Sequence, residues 1–338
     1  MKPLVSVIMP VYNGDEYLEI AIRSILLQEF RDFEFIIIND GSTDRSEDII
    51  FSFSDPRIRY IRNDLNRGLI YSLNLAVEKA MGKYIARIDA DDIADAGRFR
   101  TQVSFLEKHP DIALCGSFYK IIDKNGEARE SVELPVEDLD IRTYLLFGNC
   151  FCHSSIMIRT SVMQEHYYSV DFRLCEDYDL WFRVMKDHRV ANIPSFYTLY
   201  RVHGENISTR KREEMLKSVK AIHRKALQHI NIPFTEEELI LHNALLGFDQ
   251  ERCMQFSKRD IYAWLTKFSS HVASSSSVNR KLALKVFIRR WVTICINTRA
   301  YRLFINNPLF KQYRLFYLQC VVEKIMDKSL NRNRGLDL

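Results

Sequence analysis

The feature that most constrains this 338-residue sequence is the alternation, over its first hundred residues, of short apolar runs with stretches of helical period. "LVSVIM" (4–9), "FEFIII" (33–38), "RIRYI" (57–61) and "KYIARI" (83–88) read as strands. Residues 14–28, 43–53 and 67–80 between them read as helices. A β-α-β-α-β-α-β order predicts an α/β fold with a parallel, doubly wound sheet of the nucleotide-binding kind. In such an open sheet, ligands sit beyond the carboxyl ends of the strands. The segments there are "PVYN" (10–13), "NDGSTD" (39–44), "NDLNRG" (63–68) and "DADD" (89–92), all polar or turn-forming.

The last of these poses an electrostatic problem. Asp89, Asp91 and Asp92 follow a strand directly, and two carboxylates ~4 Å apart repel by about 4 kcal/mol at the effective dielectric of a protein cleft. The side chains splay into solvent, or Asp92 or Asp95 caps the next helix, or a cation belongs between them.

Beyond a helix near 96–108, "IALCGSFYKIIDKNGEARE" reads as two strands joined by a turn at Asn125–Gly126. A helix near 136–147, a strand at 154–159, a helix at 176–188 and strands at 189–193 and 196–202 follow, and from about 208 the pattern is helical throughout. Charge is split along the chain: residues 1–204 hold 24 Lys and Arg against 32 Asp and Glu, residues 205–338 hold 24 against 12. An acidic first part suits a cation site, and a basic second part suits an anionic partner. The seven cysteines form no C-x-x-C pair, which suits reduced thiols in a cytosolic protein. Pro10, Asn13 and Asp15 interrupt the first apolar run, so no signal peptide is expected, and no stretch approaches the ~20 apolar residues of a membrane span.

"VSVIMPVYNGDEYLEIAIRSIL", "FIIINDGSTD", "NRGLIYSLNLAVEKAMGKYIARIDADD" and "CEDYDLWFRV" together resemble glycosyltransferase family 2, over roughly residues 4–204. The resemblance implies an inverting enzyme with a GT-A fold at about 1–207, its nucleotide-sugar half at about 1–117 and its acceptor half at about 118–207. A mainly helical basic region would occupy 208–338. Asp89-Ala90-Asp91 matches the family's D-x-D motif, which implies Mn2+ or Mg2+ holding the diphosphate of a sugar nucleotide. The cation would relieve the carboxylate repulsion, with Asp92 in support. By the same resemblance Asp40 contacts the base, Pro10, Val11 and Tyr12 pack on base and ribose, and Asn66 and Arg67 lie near the nucleotide. Asp44 and Ser42 fit the helix-capping task, which leaves Asp40 freer for a ligand. Asp177 matches the family's catalytic base, with Glu176 beside it and Asp179 as a further candidate; acids at a helix start are also favoured by its dipole. "LYRVHGENIS" (199–208) resembles a closing segment, making His203 a candidate metal ligand and letting Arg201 face phosphate. His153 and Trp181 are candidate acceptor contacts, Trp181 also fitting a place packed beneath the site.

Outside the resemblance, residues 279–334 carry 13 Lys and Arg and the two acids Glu323 and Asp327, interleaved with aromatics from Phe287 and Trp291 to Tyr317. Leu315, Leu318, Val322 and Ile325 recur at helical spacing. Such helices bind anionic bilayer surfaces; they could equally form a helical domain whose aromatics are its core. No recognised nucleic-acid motif is present. The expected activity is transfer of glucose or galactose from a UDP-sugar to a lipid-linked sugar such as GlcNAc-diphospho-undecaprenol, with a β linkage, in O-antigen or lipopolysaccharide assembly at the cytoplasmic face of the inner membrane. Capsule, teichoic-type or other glycan acceptors are the alternative, and an inactive nucleotide-sugar-binding protein a second one. A sugar-nucleotide pyrophosphorylase would require a Gly-rich basic loop where "PVYNGDEY" is acidic.

Overall fold

The computed structural model describes residues 2–203, 211–247, 255–275 and 277–297. They fall into two compact units, one drawn from Met1–Ile141 and Asn149–Ser218, the other from Arg142–Gly148 and Val219–Leu338.

The first unit is built on a nine-stranded mixed sheet. Strands β1 (Val5–Val11), β2 (Phe33–Asn39), β3 (Ile58–Arg62) and β4 (Tyr84–Arg87) are all parallel, in the order β3-β2-β1-β4. Helices α1 (Leu18–Leu26), α2 (Ser46–Phe51) and α3 (Leu69–Lys79) connect them. Every residue of β1, β2 and β4 is buried, as parallel strands covered on both faces require. Pro10 is tolerated in β1 because β4 pairs only with Val5–Ile8, so the proline lies past the last rung on that side.

Beyond β4 the sheet turns mixed. β5 (Ile93–Ala94), helix α4 (Arg98–Lys108), β6 (Ile112–Ile122), β7 (Ala128–Val132), helix α5 (Asp138–Tyr144), β8 (Met157–Arg159), helix α6 (Thr160–His166), helix α7 (Glu176–Asp187) and β9 (Arg189–Arg201) follow in chain order. β8 lies antiparallel between β4 and β6, β6 runs parallel to β9, and β5 lies antiparallel to the end of β9. The β6–β7 hairpin turns at the expected place: Asp123 accepts from the amides of Asn125 and Glu127, and Gly126 takes φ +85°.

Three details differ from the sequence reading. The expected strand at 154–159 begins as a 3-10 turn, His153–Ser155, because the Ser154 and Ser155 hydroxyls bond inward to Asp89 and to the Cys152 carbonyl. The expected strands at 189–193 and 196–202 are one strand, β9, whose register against β6 shifts between Ile193 and Phe196, around Pro194. β5 and α6 were not anticipated; β5 is two residues long, too short for a period-2 pattern to register.

The second unit is helical: α8 (Arg212–His229, within this unit from Val219), α9 (Glu236–Leu245), α10 (Lys258–Ser274) and α11 (Arg280–Asn297). Capping boxes start α9 at Thr235–Glu238 and α10 at Ser257–Asp260. Its core stacks Phe147, His242, Trp264, Phe268 and Phe287, with Phe268 and Phe287 ring centroids 4.9 Å apart. Phe287 and Trp291 are buried here, so these two aromatics belong to a helical core. The remaining basic aromatic tail, 298–338, including Leu315, Leu318, Val322 and Ile325, lies outside the described residues. Among the described residues no helix is long and apolar enough to cross a membrane.

Two buried histidines make this unit acid-sensitive. Burial pushes His223 down to about 4 and His242 down to about 3. Both stay neutral in the fold, whereas the unfolded chain takes up their protons below about 6.5. Stability is therefore full above that pH and falls by about 1.4 kcal/mol per pH unit per histidine as pH drops toward 4. Amide exchange of α9 is expected to accelerate steeply between pH 6.5 and 4.5 after correction for intrinsic rates. A His242→Phe variant with the same slope contradicts this assignment.

Candidate active site

The site forms where the carboxyl ends of β1, β2 and β4 meet the segments after β3 and β9. Two residues apart on one strand edge, Arg87 and Asp89 face the same way. The Arg87 guanidinium, fully buried, makes a bidentate ion pair with Asp89 and also donates to Ser154 Oγ at 3.0 Å. Ser154 Oγ in turn accepts from the Asp89 amide at 3.1 Å. Asp91 Oδ2 lies 3.0 Å from His203 Nε2. Asp92, entirely buried, accepts from the Arg201 amide at 2.8 Å. The three carboxylates thus take three different partners. Burial raises Asp91, with Asp89 adding to it against the pull of His203. Burial and the neighbouring Asp91 and Asp89 raise Asp92 well above the carboxylate range.

The pairing of β5 with β9, Ile93 opposite Leu199 and Ala94 opposite Thr198, brings 201–203 against the acidic loop. Arg201 does not face a phosphate. It is 2% exposed, and it donates to the carbonyls of Asp91, Asp123 and Lys124 while stacking 4.4 Å over the Tyr17 ring.

On the other side of β1, Asp40, expected to be freer for a ligand than its neighbours, is held by the turn after β3. Its Oδ1 accepts from Asn63 Nδ2 at 2.6 Å and the Arg67 amide at 2.9 Å, and its Oδ2 accepts from the Gly68 amide at 2.8 Å. It is 3% exposed and fixes the 63–68 turn. Asp44 accepts from the Ser46 amide in a local turn leading into α2, whose N-cap residue, Arg45, makes no side-chain cap bond, and Ser42 accepts from the Asn13 amide. Gly41, at φ +73°, passes so close to the turn that a Cβ would stand 2.7 Å from the Leu65 carbonyl carbon. Asn66 and Arg67 are exposed, with Arg67 4.1 Å over the Tyr71 ring. Pro10 and Val11 are buried in β1, Tyr12 is 50% exposed at its end, and Ala90 is half-buried between its two aspartates.

Glu176 and Asp177 open α7. Asp177 accepts from Asn149 Nδ2 at 2.6 Å and from the Tyr178 amide at 2.7 Å. Burial raises Asp177, while the Tyr178 amide, the Arg87 charge and Asn149 oppose the rise. Burial and Asp177 push Glu176 up to about 7. Asp179 is fully buried and paired with Arg183 at 2.7 Å, away from any reacting role. His153 Nε2 is 2.7 Å from the Tyr168 hydroxyl, and burial with the nearby Arg87 keeps its imidazole neutral. Trp181 has no exposed surface, so an acceptor contact by its ring is corrected to support: it packs edge-on beneath His153 and Phe151 at 5.8 and 5.6 Å.

The sequence reading missed Arg87, Asn63, Asn149, Ser154 and Tyr168. For Arg87 a signal was present: an arginine inside the buried run "KYIARI", two residues before an aspartate. The others are polar residues whose role depends on contacts 15 to 65 positions away, such as Tyr168 with His153, Asn63 with Asp40 and Ser154 with Asp89.

A parallel sheet that turns mixed after four strands, with an aspartate cluster at its switch edge and acids opening a facing helix, is the GT-A arrangement of glycosyltransferases. Two solved structures share it: Staphylococcus aureus TarS 1-349 in complex with UDP-GlcNAc, at TM-score 0.60, 17% identity and coverage of 93% of this chain and 92% of that one, and the mannosyltransferase PcManGT of Pyrobaculum calidifontis in complex with GDP-Man and Mn2+, at TM-score 0.54, 14% identity and coverage of 97% and 88%. Residues 6–166 match the model of glycosyl transferase family 2. An uncharacterized glycosyltransferase of Haemophilus influenzae is 35% identical over 239 residues, 67% of this chain and 74% of that protein. The Escherichia coli UDP-Glc:alpha-D-GlcNAc-diphosphoundecaprenol beta-1,3-glucosyltransferase WfgD is 31% identical over 216 residues, 63% of this chain and 82% of that protein. The chain belongs to glycosyltransferase family 2.

Proposed function

We propose that this glycosyltransferase moves a hexose, glucose or galactose, from a UDP-sugar to a hydroxyl of a lipid-linked acceptor sugar, with inversion to a β linkage. The observation that carries the reading is the position of Arg87, whose charge acts at once on Asp89 and on the Glu176–Asp177 pair. Donor-binding carboxylates and a candidate base therefore share one electrostatic site. The E. coli relatives named for UDP-Glc and GlcNAc-diphosphoundecaprenol support the donor and acceptor classes.

Asp89 and Asp91 would hold a divalent cation, with His203 at the rim. One oxygen of each and one of Asp92 lie within 4.8 Å of one another, a hard donor set suited to Mn2+ or Mg2+, and Asp92 Oδ2 is buried without a hydrogen-bond partner among the described residues. The ion, when bound, supplies positive charge to the diphosphate. Tyr12, with Pro10 and Val11 behind it, takes the nucleoside side, facing Asn66 and Arg67 on the turn that Asp40 fixes. Asp177, oriented by Asn149, accepts the proton of the attacking hydroxyl, Glu176 modulates that carboxylate, and neutral His153 lines the acceptor side. A base lifted toward neutral pH is better matched to this task than an ordinary carboxylate.

Asp177→Asn is expected to lower transfer about 10²- to 10⁴-fold while UDP binding persists. In the wild type, kcat/KM is expected to rise with pH through a midpoint above the usual carboxylate range, since the base must be deprotonated and its environment raises its pKa. Full transfer by the variant, or a flat profile from pH 5 to 8, removes Asp177 from this role.

A lipid-linked acceptor would bring the enzyme to the cytoplasmic membrane face, a reading that the basic surface of α11 supports. It exposes Arg280, Lys281, Lys285, Arg289 and Arg290, carries no acid, and buries its apolar residues in the helical core. Full-length protein is expected to sediment with vesicles containing anionic lipid at low salt and to leave them at high salt, each basic side chain contributing about 1 kcal/mol. Equal recovery with neutral vesicles excludes this electrostatic attachment.

A further inference from the structure

A second cluster of metal-ligating side chains lies outside the site just described, where the C-terminal ends of α6 and α7 meet. Glu165 and His166 close α6, and His188 is the residue that ends α7. A donor atom from each of the three lies within 4.8 Å of the other two. His188 Nε2 is 3.9 Å from Glu165 Oε2, and the two imidazole rings stand at 90° with centroids 6.0 Å apart. Glu165 is largely exposed and both histidines are half-buried, so an ion can reach the cluster from solvent. His166 Nε2 is shielded from solvent and has no hydrogen-bond partner among the described residues.

The backbone that carries these side chains is already fixed. Arg183 on α7 donates to the carbonyls of His166 and Tyr167 and pairs with Asp179, which clamps the end of α6 onto α7. The His188 amide donates to the Val184 carbonyl at 3.0 Å. Arg183 and Asp187 are the further charges that act on His166, and they oppose one another. Donors around a tetrahedral ion held at 2.0–2.2 Å stand about 3.3–3.6 Å apart. Side-chain rotations that bring the donor atoms closer by up to about 1.5 Å would close the set.

We propose that Glu165, His166 and His188 bind a transition-metal dication of the Zn2+ class. Two imidazoles and one carboxylate suit Zn2+, Co2+, Ni2+ or Cu2+ and discriminate against Mg2+, which prefers all-oxygen sites. Donor chemistry thus separates this cluster from the aspartates at β4. The ion would cross-link α6 to the far end of α7 from Glu176 and Asp177, about 16 Å away along the twelve-residue helix. Its negative dipole end there favours a cation.

The test is Zn2+ titration of the full-length, metal-stripped protein against a chromogenic chelator. Asp91 and His203 could also take Zn2+, so Asp91→Asn provides the background in which the new site is read. One Zn2+ is expected to bind Asp91→Asn, with affinity at least tenfold weaker once His166→Ala or His188→Gln is added. X-ray absorption of Zn2+ in Asp91→Asn needs no change at the cluster, and two imidazoles are expected in the first shell. Absence of Zn2+ uptake by Asp91→Asn, a shell without imidazole, or unchanged affinity in both histidine variants overturns the proposal.

Discussion

The Arg87–Asp89 ion pair is the interaction on which the rest of the catalytic unit depends. Three aspartates within four residues at a strand end would drive one another apart, and the chain answers with partners of its own. Arg87 holds Asp89, His203 reaches Asp91, and the Arg201 amide binds Asp92. A divalent cation therefore need not assemble the loop; it would meet carboxylates already in place. Arg87 can do this because it is fully buried and stays protonated: Asp89 and the neighbouring acids outweigh the penalty of its burial. Replacing one member of such a buried pair costs about 3–5 kcal/mol, since the other is left uncompensated.

The same charge organises the far side of the cleft. Arg87 opposes the rise of Glu176 and Asp177 and adds to the burial that keeps His153 neutral. The base candidate thus sits between two influences, burial that lifts its pKa and a cation that restrains it. A shift either way would leave the carboxylate protonated at neutral pH or too weak a base. The turn after β3 is fixed by an analogous device, a buried Asp40 that gathers Asn63, Arg67 and Gly68. Buried polar side chains carry the geometry here, and Tyr12 and Arg67 remain exposed at its edge.

Much of this was legible in the sequence where it follows from local pattern. The four parallel strands were readable because β1, β2 and β4 are continuous apolar runs bounded by turn residues. "DADD" stood out because charge does not normally follow a buried strand. What was not legible is long-range. β5 is two residues long and exists only because β9 pairs with it, yet that pairing is what delivers Arg201 and His203 to the loop. Arg201 was allowed to face phosphate and is a buried strut; Trp181, read as an acceptor contact or as packing beneath the site, packs beneath it; Asp40, read as freer for a ligand, is held by Asn63 and the Arg67 and Gly68 amides. In each case residue type was informative about the site, but burial, which depends on the whole fold, decided the role.

The central claim is that Arg87 holds Asp89 and the neighbouring carboxylates, proposed to bind the donor, in position, and the most direct test is UDP affinity. Titration of UDP in Mn2+ should be compared for wild type, Arg87→Lys and Arg87→Met, with amide exchange of β1 and β2, in the same unit, as a check on folding. The account predicts at least tenfold weaker binding in both variants, because lysine keeps the charge but loses the two-pronged contact with Asp89. Wild-type affinity in a folded Arg87→Met protein would contradict it.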